Sequence, residues 1–160
     1  MTVGGSAVGR SLLVTVINAY PRMRKEIDGL QMMVVAGPRV DLSELPRHDG
    51  VDVRGFLPDL PLHLAACDVA IVQGGLTTTM ELVELGRPFV YVPLGQHFEQ
   101  QRHVRHRLER YGAGRCVDHA SIDAESLTDA VLEQIAAPIQ YPPIPADGAR
   151  RAAAMLADLI

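Results

Sequence analysis

The chain has 160 residues, of which 48% are hydrophobic and 21% are charged, as expected for about one soluble domain with a sizeable core. A formal net charge of −4 argues against a nucleic-acid-binding protein, which usually presents a basic face. The two cysteines provide no disulfide framework, and no apolar run approaches the ~20 residues that span a bilayer. We therefore expect a cytoplasmic protein, compatible with peripheral membrane contact.

Short apolar runs alternate along the chain with segments whose apolar residues recur at helical spacing. The runs predict the tail of a strand at residues 2–5 and strands at residues 31–37, 51–56, 68–73, 89–93 and 114–118. The segments between them predict a first helix from about residue 12, then helices at 61–67, 77–86, 98–112, 123–136 and 148–160. In the first helix, Pro21 predicts a kink or a new turn, and Gly29 predicts the C-cap.

This alternation predicts an α/β fold, a Rossmann-like parallel sheet with helices on both faces. We expect one ligand-binding domain over residues 1–137, a proline-rich linker over 138–145, and a closing helix of the same domain over 146–160. Ligands of such sheets bind beyond the carboxyl ends of the strands. Three loops follow predicted strands there, and we expect them to converge: Gly4–Gly9, Gln73–Thr78 and Pro93–Gln101.

The segment GGLTTTME, residues 74–81, has the composition of an anion-binding turn. Gly74 and Gly75 allow a sharp turn and close approach of a ligand to the backbone. Thr77 and Thr78 open a helix, and the first N–H groups of a helix bind anions. Glu81, about one turn later, is suited to hydroxyls such as a ribose diol. An ordinary strand–helix turn, with a threonine N-cap and a solvated glutamate, remains the alternative.

The segment GGSAVGRS, residues 4–11, predicts either a second phosphate cradle or a plain glycine turn. It is not a nucleotide-hydrolase P-loop, because Arg10 stands where that motif requires lysine. It is not the dinucleotide fingerprint either, because Ser6 occupies the place of the second glycine.

The segment PLGQHFEQQ, residues 93–101, is rich in amides. Gln96, Gln100 and Gln101 offer paired donors and acceptors for sugar hydroxyls, and His97 could do the same or carry a proton. His103 and His106 share a helix face but lack the Glu-x-x-His pairing of a metal site, which favours a solvated basic face. With no Asp-x-Asp in the chain, we expect no metal, and backbone amides and helix ends to hold any diphosphate.

Taken in order, GGSAVG, VDVRGFLPDLP, CDVAIVQGGLTTTMELVELGRPFVYVP and QHFEQQ resemble the donor-binding C-terminal half of GT-B glycosyltransferases. The chain is most similar to the family of the lipid II N-acetylglucosaminyltransferase and to the UDP-glycosyltransferases. The resemblance implies an inverting, metal-independent transfer of a hexosyl group from a UDP-sugar, or a dTDP-sugar, to an unknown acceptor without a cofactor.

The resemblance also implies a role for each matching residue. The diphosphate would be bound by the two glycine turns, the base edge by backbone groups, the ribose by a carboxylate, and the donor sugar by amides. The glycine turns that would bind the diphosphate contain Gly5, Ser6, Gly75, Leu76, Thr77 and Thr78. The backbone groups at the base edge are those of Phe56 and Leu57, and the carboxylate at the ribose is that of Glu81. The amides at the donor sugar are those of Gln100 and Gln101, with Gln96 and His97 nearby.

The chain departs from the pattern of plant-type members, which carry a phosphate-binding histidine where Gln73 stands and a base-stacking tryptophan that this chain lacks. The acceptor site and the catalytic base of two-domain members lie in an N-terminal half. We expect that half to be a preceding domain, with Met1 interrupting the first strand, or else a separate subunit. The chain alone should then bind donor without transferring sugar.

Two other functions remain open at this stage. A sugar-nucleotide 2-epimerase would use the same fold, and a non-catalytic interaction module could retain the fold without its ligand. The apolar residues of the last helix should be exposed or form a homodimer; they are Met155, Leu156, Leu159 and Ile160.

Overall fold

The computed structural model describes residues 1–4 and 9–159 and shows helices alternating with strands. The α-helices are α1 (Arg10–Glu26), α2 (Leu60–Ala66), α3 (Leu76–Glu84), α4 (Arg105–Tyr111), α5 (Ala124–Ala136) and α6 (Gly148–Ala157). The strands are β1 (Met32–Val35), β2 (Val51–Arg54), β3 (Ala70–Val72), β4 (Phe89–Tyr91) and β5 (Arg115–Cys116). A 3-10 turn covers Leu42–Glu44, and a π-helix covers Glu99–Val104.

Thr2 joins two groups of parallel strands into one sheet. β1 pairs with β2, and β3, β4 and β5 pair in that order, while Thr2 forms isolated parallel bridges to Val35 of β1 and to Val72 of β3. The spatial order is therefore β2–β1–Thr2–β3–β4–β5. With the Thr2 segment counted as the first strand, this is the 3-2-1-4-5-6 order of doubly wound nucleotide-binding folds. The predicted Rossmann-like sheet is confirmed.

Apolar layers cover both faces of this sheet. One core cluster joins α1 and α5 with side chains such as Val34, Ile71 and Val90. The other joins α2, α3 and α4 with Val72 and Phe89, among others. Successive residues of β3 and β4 thus enter opposite cores, which explains why these strands are apolar throughout.

The predicted elements are found with shifted ends. α1 runs through Pro21 as one helix, so no new helix starts there. Its C-cap is Ile27, and Gly29 lies two residues further on in a left-handed turn (φ 69°), so the predicted C-cap is wrong. The predicted helix 98–112 divides into the π-helix and α4, and it ends at Gly112 as expected.

The described residues after Ala137 contribute no buried side chain to the cores. Residues 138–147 have no regular structure, yet Tyr141 packs edge-on against Phe89 with ring centroids 6.2 Å apart. α6 buries no residue, and Met155, Leu156 and Leu159 are exposed. Ile160 lies outside the described residues. No helix in the described part of the chain combines the length and apolar character that crossing a membrane requires.

The amino group of Met1 is buried inside the sheet. It donates to the Met33 carbonyl oxygen at 2.7 Å, and the Val35 amide donates back to the Met1 carbonyl oxygen at 2.9 Å. Burial lowers the pKa of the Met1 amine from 8.0 to about 6. The negative charge of the nearby Cys67 thiolate acts in the opposite direction and raises this pKa. At neutral pH the folded chain therefore holds an uncharged amine at this position.

This buried amine predicts a pH dependence of stability. Because the unfolded chain binds a proton on Met1 between pH 6 and 8 and the folded chain does not, the free energy of unfolding should fall as the pH drops from 8 to 6. The shift corresponds to about 2–3 kcal/mol. Urea unfolding of the free-amine chain and of the same chain acetylated at Met1 isolates this contribution from other titrating groups. The two profiles should diverge below pH 8, and parallel profiles would contradict the assignment.

Candidate functional site

The predicted site loops begin at one edge of the sheet. The bridges and strand register align one residue from each strand across the sheet, so the segments that follow these residues emerge side by side. The aligned residues are Arg54, Val35, Thr2, Val72, Tyr91 and Cys116. The loops after Val3, after Val72 and after Tyr91 therefore share the carboxyl edge, where doubly wound sheets bind ligands.

The Thr2 segment and β3 are neighbours at the point where the strand order reverses. The backbone of Gly9 packs closely there against the residues that follow these two segments. A methyl group added to Gly9 would lie 2.6 Å from Val3 Cβ and 2.7 Å from Gln73 Oε1, closer than carbon and oxygen atoms can pack. Gly9 is the N-cap of α1, so its lack of a side chain lets the start of α1 rest against the end of the central strand. Gly5 and Ser6 lie outside the described residues.

Gln73, the residue after β3, is buried beside Gly9. Its side chain is 7% exposed, and no described residue donates a hydrogen bond to its Oε1. A buried amide oxygen without a hydrogen-bond donor costs free energy. The sequence marks the position only as a departure from a family pattern; its burial depends on the packing of Gly9.

The turn after β3 leaves the start of α3 open. Gly74 has φ of 90°, a conformation that glycine adopts without strain, and Gly75 is the N-cap without a capping side chain. The first helical hydrogen bond runs from the Thr79 amide to the Gly75 carbonyl oxygen, at 3.1 Å. The amides of Leu76, Thr77 and Thr78 donate to no described residue. The threonine N-cap of the alternative interpretation is therefore wrong, and three N–H groups at the start of α3 have no partner among the described residues.

Glu81 lies in the second turn of α3 and is partly buried. Burial, and then the nearby carboxylate of Glu84, raises the pKa of Glu81. No described residue donates a hydrogen bond to its side chain or forms an ion pair with it. Both carboxylate oxygens of Glu81 can therefore accept hydrogen bonds from hydroxyl groups.

The side chains of Gln100 and Gln101 form hydrogen bonds that hold the loop after β4 in place. Gln100 is buried and its Oε1 accepts a hydrogen bond from the Leu94 amide at 3.0 Å. Gln101 Nε2 donates to the carbonyl oxygens of Pro93 and Leu94, at 3.3 and 3.2 Å. Both residues lie in the π-helix, a distortion that is frequent at functional sites. One side of each amide is therefore used to hold the loop.

The remaining predicted residues surround this edge with mixed exposure. Gln96 and His97 are exposed on the braced loop, next to Phe98. Phe56 is 73% exposed after β2, whereas Leu57 is buried and lines a cavity together with Leu60 and Leu64. Any base contact from these two residues would come from their backbone groups, as the resemblance implies.

Arg10, the cation next to the glycine loop, is paired with Glu44 at 2.9 Å. Residues 1–4 and 9–159 contain no group of three or more His, Cys, Asp and Glu side chains that could hold a metal ion. The arrangement offers neutral N–H donors at a helix start, which bind an anion through their dipoles.

Comparisons with known proteins agree with this architecture. The family model described as "Glycosyltransferase family 28 C-terminal domain" matches residues 1–157. A curated relative from Mannheimia succiniciproducens, a UDP-N-acetylglucosamine--N-acetylmuramyl-(pentapeptide) pyrophosphoryl-undecaprenol N-acetylglucosamine transferase, is 28% identical over 81% of the chain. The chain spans 38% of that relative's length.

Solved structures show the same fold. The spinosyn rhamnosyltransferase SpnG, solved with thymidine diphosphate, is 26% identical with a TM-score of 0.62, and the match covers 98% of this chain and 40% of SpnG. MurG from Acinetobacter baumannii is 17% identical with a TM-score of 0.64, and the match covers 99% of this chain and 49% of MurG. The chain therefore belongs to the glycosyltransferase family 28 C-terminal domains, and its expected likeness to the C-terminal half of GT-B glycosyltransferases is confirmed.

Proposed function

We propose that this domain binds the nucleoside diphosphate of a sugar donor at the carboxyl edge of its sheet. The observation that carries the proposal is the set of three unpartnered N–H groups at the start of α3, directly behind Gly74 and Gly75. Amides at a helix start are suited to a diphosphate. Glu81, without a partner among the described residues, would accept hydrogen bonds from the ribose.

The reaction we propose is an inverting, metal-independent transfer of a hexosyl group. The amides would stabilise the negative charge that develops on the departing diphosphate, which is electrostatic catalysis by fixed dipoles. The base that activates the acceptor would come from an N-terminal half, carried by a longer chain or a separate subunit. Gln96, His97, Gln100 and Gln101 would contact the sugar with the amide groups that the loop does not use.

A uridine donor is our first proposal, and a thymidine donor our second. The Mannheimia relative is named for transfer from UDP-N-acetylglucosamine, and SpnG was solved with thymidine diphosphate. The same relative is named for an undecaprenol-linked acceptor, which would suit a cytoplasmic protein working at a membrane surface. Exposed Phe56 and Phe98 beside the edge provide apolar surface that an acceptor-binding half could cover.

Titration of the 160-residue chain with uridine, thymidine and guanosine diphosphates tests the proposal. We expect heat of binding with UDP, a weaker response with TDP, and none with GDP, unaffected by a metal chelator. Incubation with UDP-sugar should give neither transfer nor epimerisation. Failure of all three nucleotides to bind would favour the interaction module, and epimerisation of the free donor would favour the epimerase.

Substitution of Glu81 tests the ribose contact. Glu81→Ala should weaken UDP binding by about 1.5–3 kcal/mol, because charged hydrogen bonds to the ribose hydroxyls would be lost. Glu84→Ala on the same helix is the matched control and should retain affinity, since Glu84 is exposed at the helix end. Calorimetry with 2′-deoxy-UDP should show a smaller loss for Glu81→Ala than UDP does. Equal affinity of the variant and the wild type for UDP would exclude this role.

Substitution of Gly75 tests whether the ligand approaches the turn. A methyl group at Gly75 would meet no atom within 4 Å, and the backbone there is extended, so Gly75→Ala should fold with unchanged stability. It should weaken UDP binding by about tenfold or more, because the methyl group would occupy space next to the phosphate-binding amides. Gly148→Ala, equally unhindered in α6, is the matched control and should leave UDP affinity unchanged. Full UDP affinity in Gly75→Ala would argue against a phosphate at this turn.

A further inference from the structure

A fully buried threonine stands in the first turns of α3, next to the residues whose N–H groups are unpartnered. Thr79 is 0% exposed, whereas Gly75, Leu76 and Thr77 are exposed. The roles implied by the family resemblance fall on the two threonines before it and leave Thr79 without one. A buried hydroxyl group requires a hydrogen-bond acceptor, so the partners of this one indicate what it does.

The Thr79 hydroxyl group lies within hydrogen-bond distance of two backbone carbonyl groups. Its Oγ1 is 2.9 Å from the Gly75 carbonyl oxygen and 3.0 Å from the Leu76 carbonyl oxygen. The Thr79 amide also donates to the Gly75 carbonyl oxygen, at 3.1 Å. A hydroxyl group has one O–H donor, and burial shields it from water, so that donor is shared between these two carbonyl oxygens.

Each of these carbonyl groups belongs to the same peptide unit as one of the unpartnered N–H groups. The Gly75 carbonyl carbon is bonded to the Leu76 nitrogen, and the Leu76 carbonyl carbon is bonded to the Thr77 nitrogen. A trans peptide unit is planar, and its N–H points opposite to its C=O. A contact that fixes the direction of the carbonyl group therefore also fixes the direction of the N–H group.

Side-chain packing restrains the turn before these peptide units but not Gly75 itself. A methyl group added to Gly74 would lie 3.6 Å from Tyr91 Cδ2 and 3.7 Å from Pro93 Cα, in ordinary van der Waals contact. A methyl group added to Gly75 would meet no atom within 4 Å. Among the described residues, the hydrogen bonds to the Gly75 carbonyl oxygen both come from Thr79.

We propose that the Thr79 hydroxyl group is a positioning group for the diphosphate, because it holds the Leu76 and Thr77 N–H groups in the direction from which they bind the ligand. This inference rests on the proposed function, in which these N–H groups bind the diphosphate. Thr79 is buried and acts through the two peptide units without touching the ligand. Donors that are aligned before the ligand arrives lose less conformational freedom on binding, so they bind it more tightly.

Thr128 offers a matched control in another helix. It is 1% exposed, and its hydroxyl group donates to the carbonyl oxygen of Ala124, four residues earlier, at 2.6 Å. Thr79 and Gly75 have the same separation in sequence. α5 belongs to the core cluster on the other face of the sheet from α3, so removal of the Thr128 hydroxyl group breaks the same type of bond away from the proposed ligand.

Titration of the 160-residue chain and its threonine variants with UDP and with inorganic pyrophosphate tests the proposal. Thr79→Val keeps the branched shape, and Thr79→Ala removes the hydroxyl group without placing a methyl group against the carbonyl oxygens. Both should weaken the binding of both ligands by about five- to tenfold. Thr79→Ser retains the hydroxyl group and should remain within about twofold of wild type, as should Thr128→Val. Urea unfolding of each variant shows which of them fold.

Amide proton–nitrogen NMR spectra provide a readout that a general loss of helix stability would not reproduce. Addition of UDP should shift the Leu76 and Thr77 resonances in the wild type and in Thr79→Ser, because these N–H groups then donate to the diphosphate. The same resonances should shift less in Thr79→Val and Thr79→Ala, at ligand concentrations that saturate each variant. If Thr79→Val does not fold, the comparison of Thr79→Ala with Thr79→Ser decides the question.

The other outcomes count against the proposal, and they separate it from the proposed function. Wild-type binding of UDP with full affinity in the folded valine and alanine variants would overturn the positioning role and leave the proposed function standing. An equal loss in Thr128→Val, or an equal loss in Thr79→Ser, would show that the hydroxyl group of Thr79 has no special effect on the ligand. Absence of UDP binding to the wild-type chain would overturn the proposed function and the positioning role together.

Discussion

The architecture depends on the hydrogen bonds that Met1 and Thr2 make to the strands on either side. The Val35 amide donates to the Met1 carbonyl oxygen at 2.9 Å, and the Thr2 amide donates to the Ile71 carbonyl oxygen at 3.0 Å. These bonds align the β1–β2 pair with the β3–β4–β5 group, so that the turn after β3 lies beside Gly9 at the reversal of strand order. These few backbone groups join the two parts of the sheet at its carboxyl edge.

The two ends of this short strand pose the same physical problem with different solutions. Buried or half-buried N–H groups require acceptors. At the carboxyl end, the amides at the start of α3 face outward beside a glycine turn, where a soluble anion can reach them. At the amino end, the Met1 nitrogen is buried and donates to the Met33 carbonyl oxygen at 2.7 Å.

Local pattern was sufficient to predict most of the elements and the edge on which the candidate site lies. Pro61 marks the start of α2, and Gly112 ends α4 in the left-handed conformation, because both residues act through their own backbone geometry. Long-range packing was not predictable in this way. The burial of Gln73 depends on its packing against Gly9, which is distant in sequence. The hydrogen bond from the Leu94 amide to Gln100 depends on a π-helix, and the sequence pattern does not distinguish that π-helix from the start of an ordinary α-helix. The N-cap of α3 is Gly75 instead of a threonine, because the helix begins at Leu76, ahead of the threonines.

The exposure of the candidate site explains why a neutral cradle would suit a two-part enzyme. Peptide dipoles in contact with water stabilise an anion only modestly, and the same dipoles become more effective when a covering surface lowers the local dielectric constant. The Arg10 side chain forms an ion pair with Glu44, so its positive charge does not replace the effect of a covering surface on an anion. Gln96, His97 and Phe98 remain exposed on a loop that Gln100 and Gln101 hold in place. In the function that we propose, the amides at the start of α3 bind the donor, and they stabilise a departing diphosphate fully only when an acceptor-binding half closes over this edge.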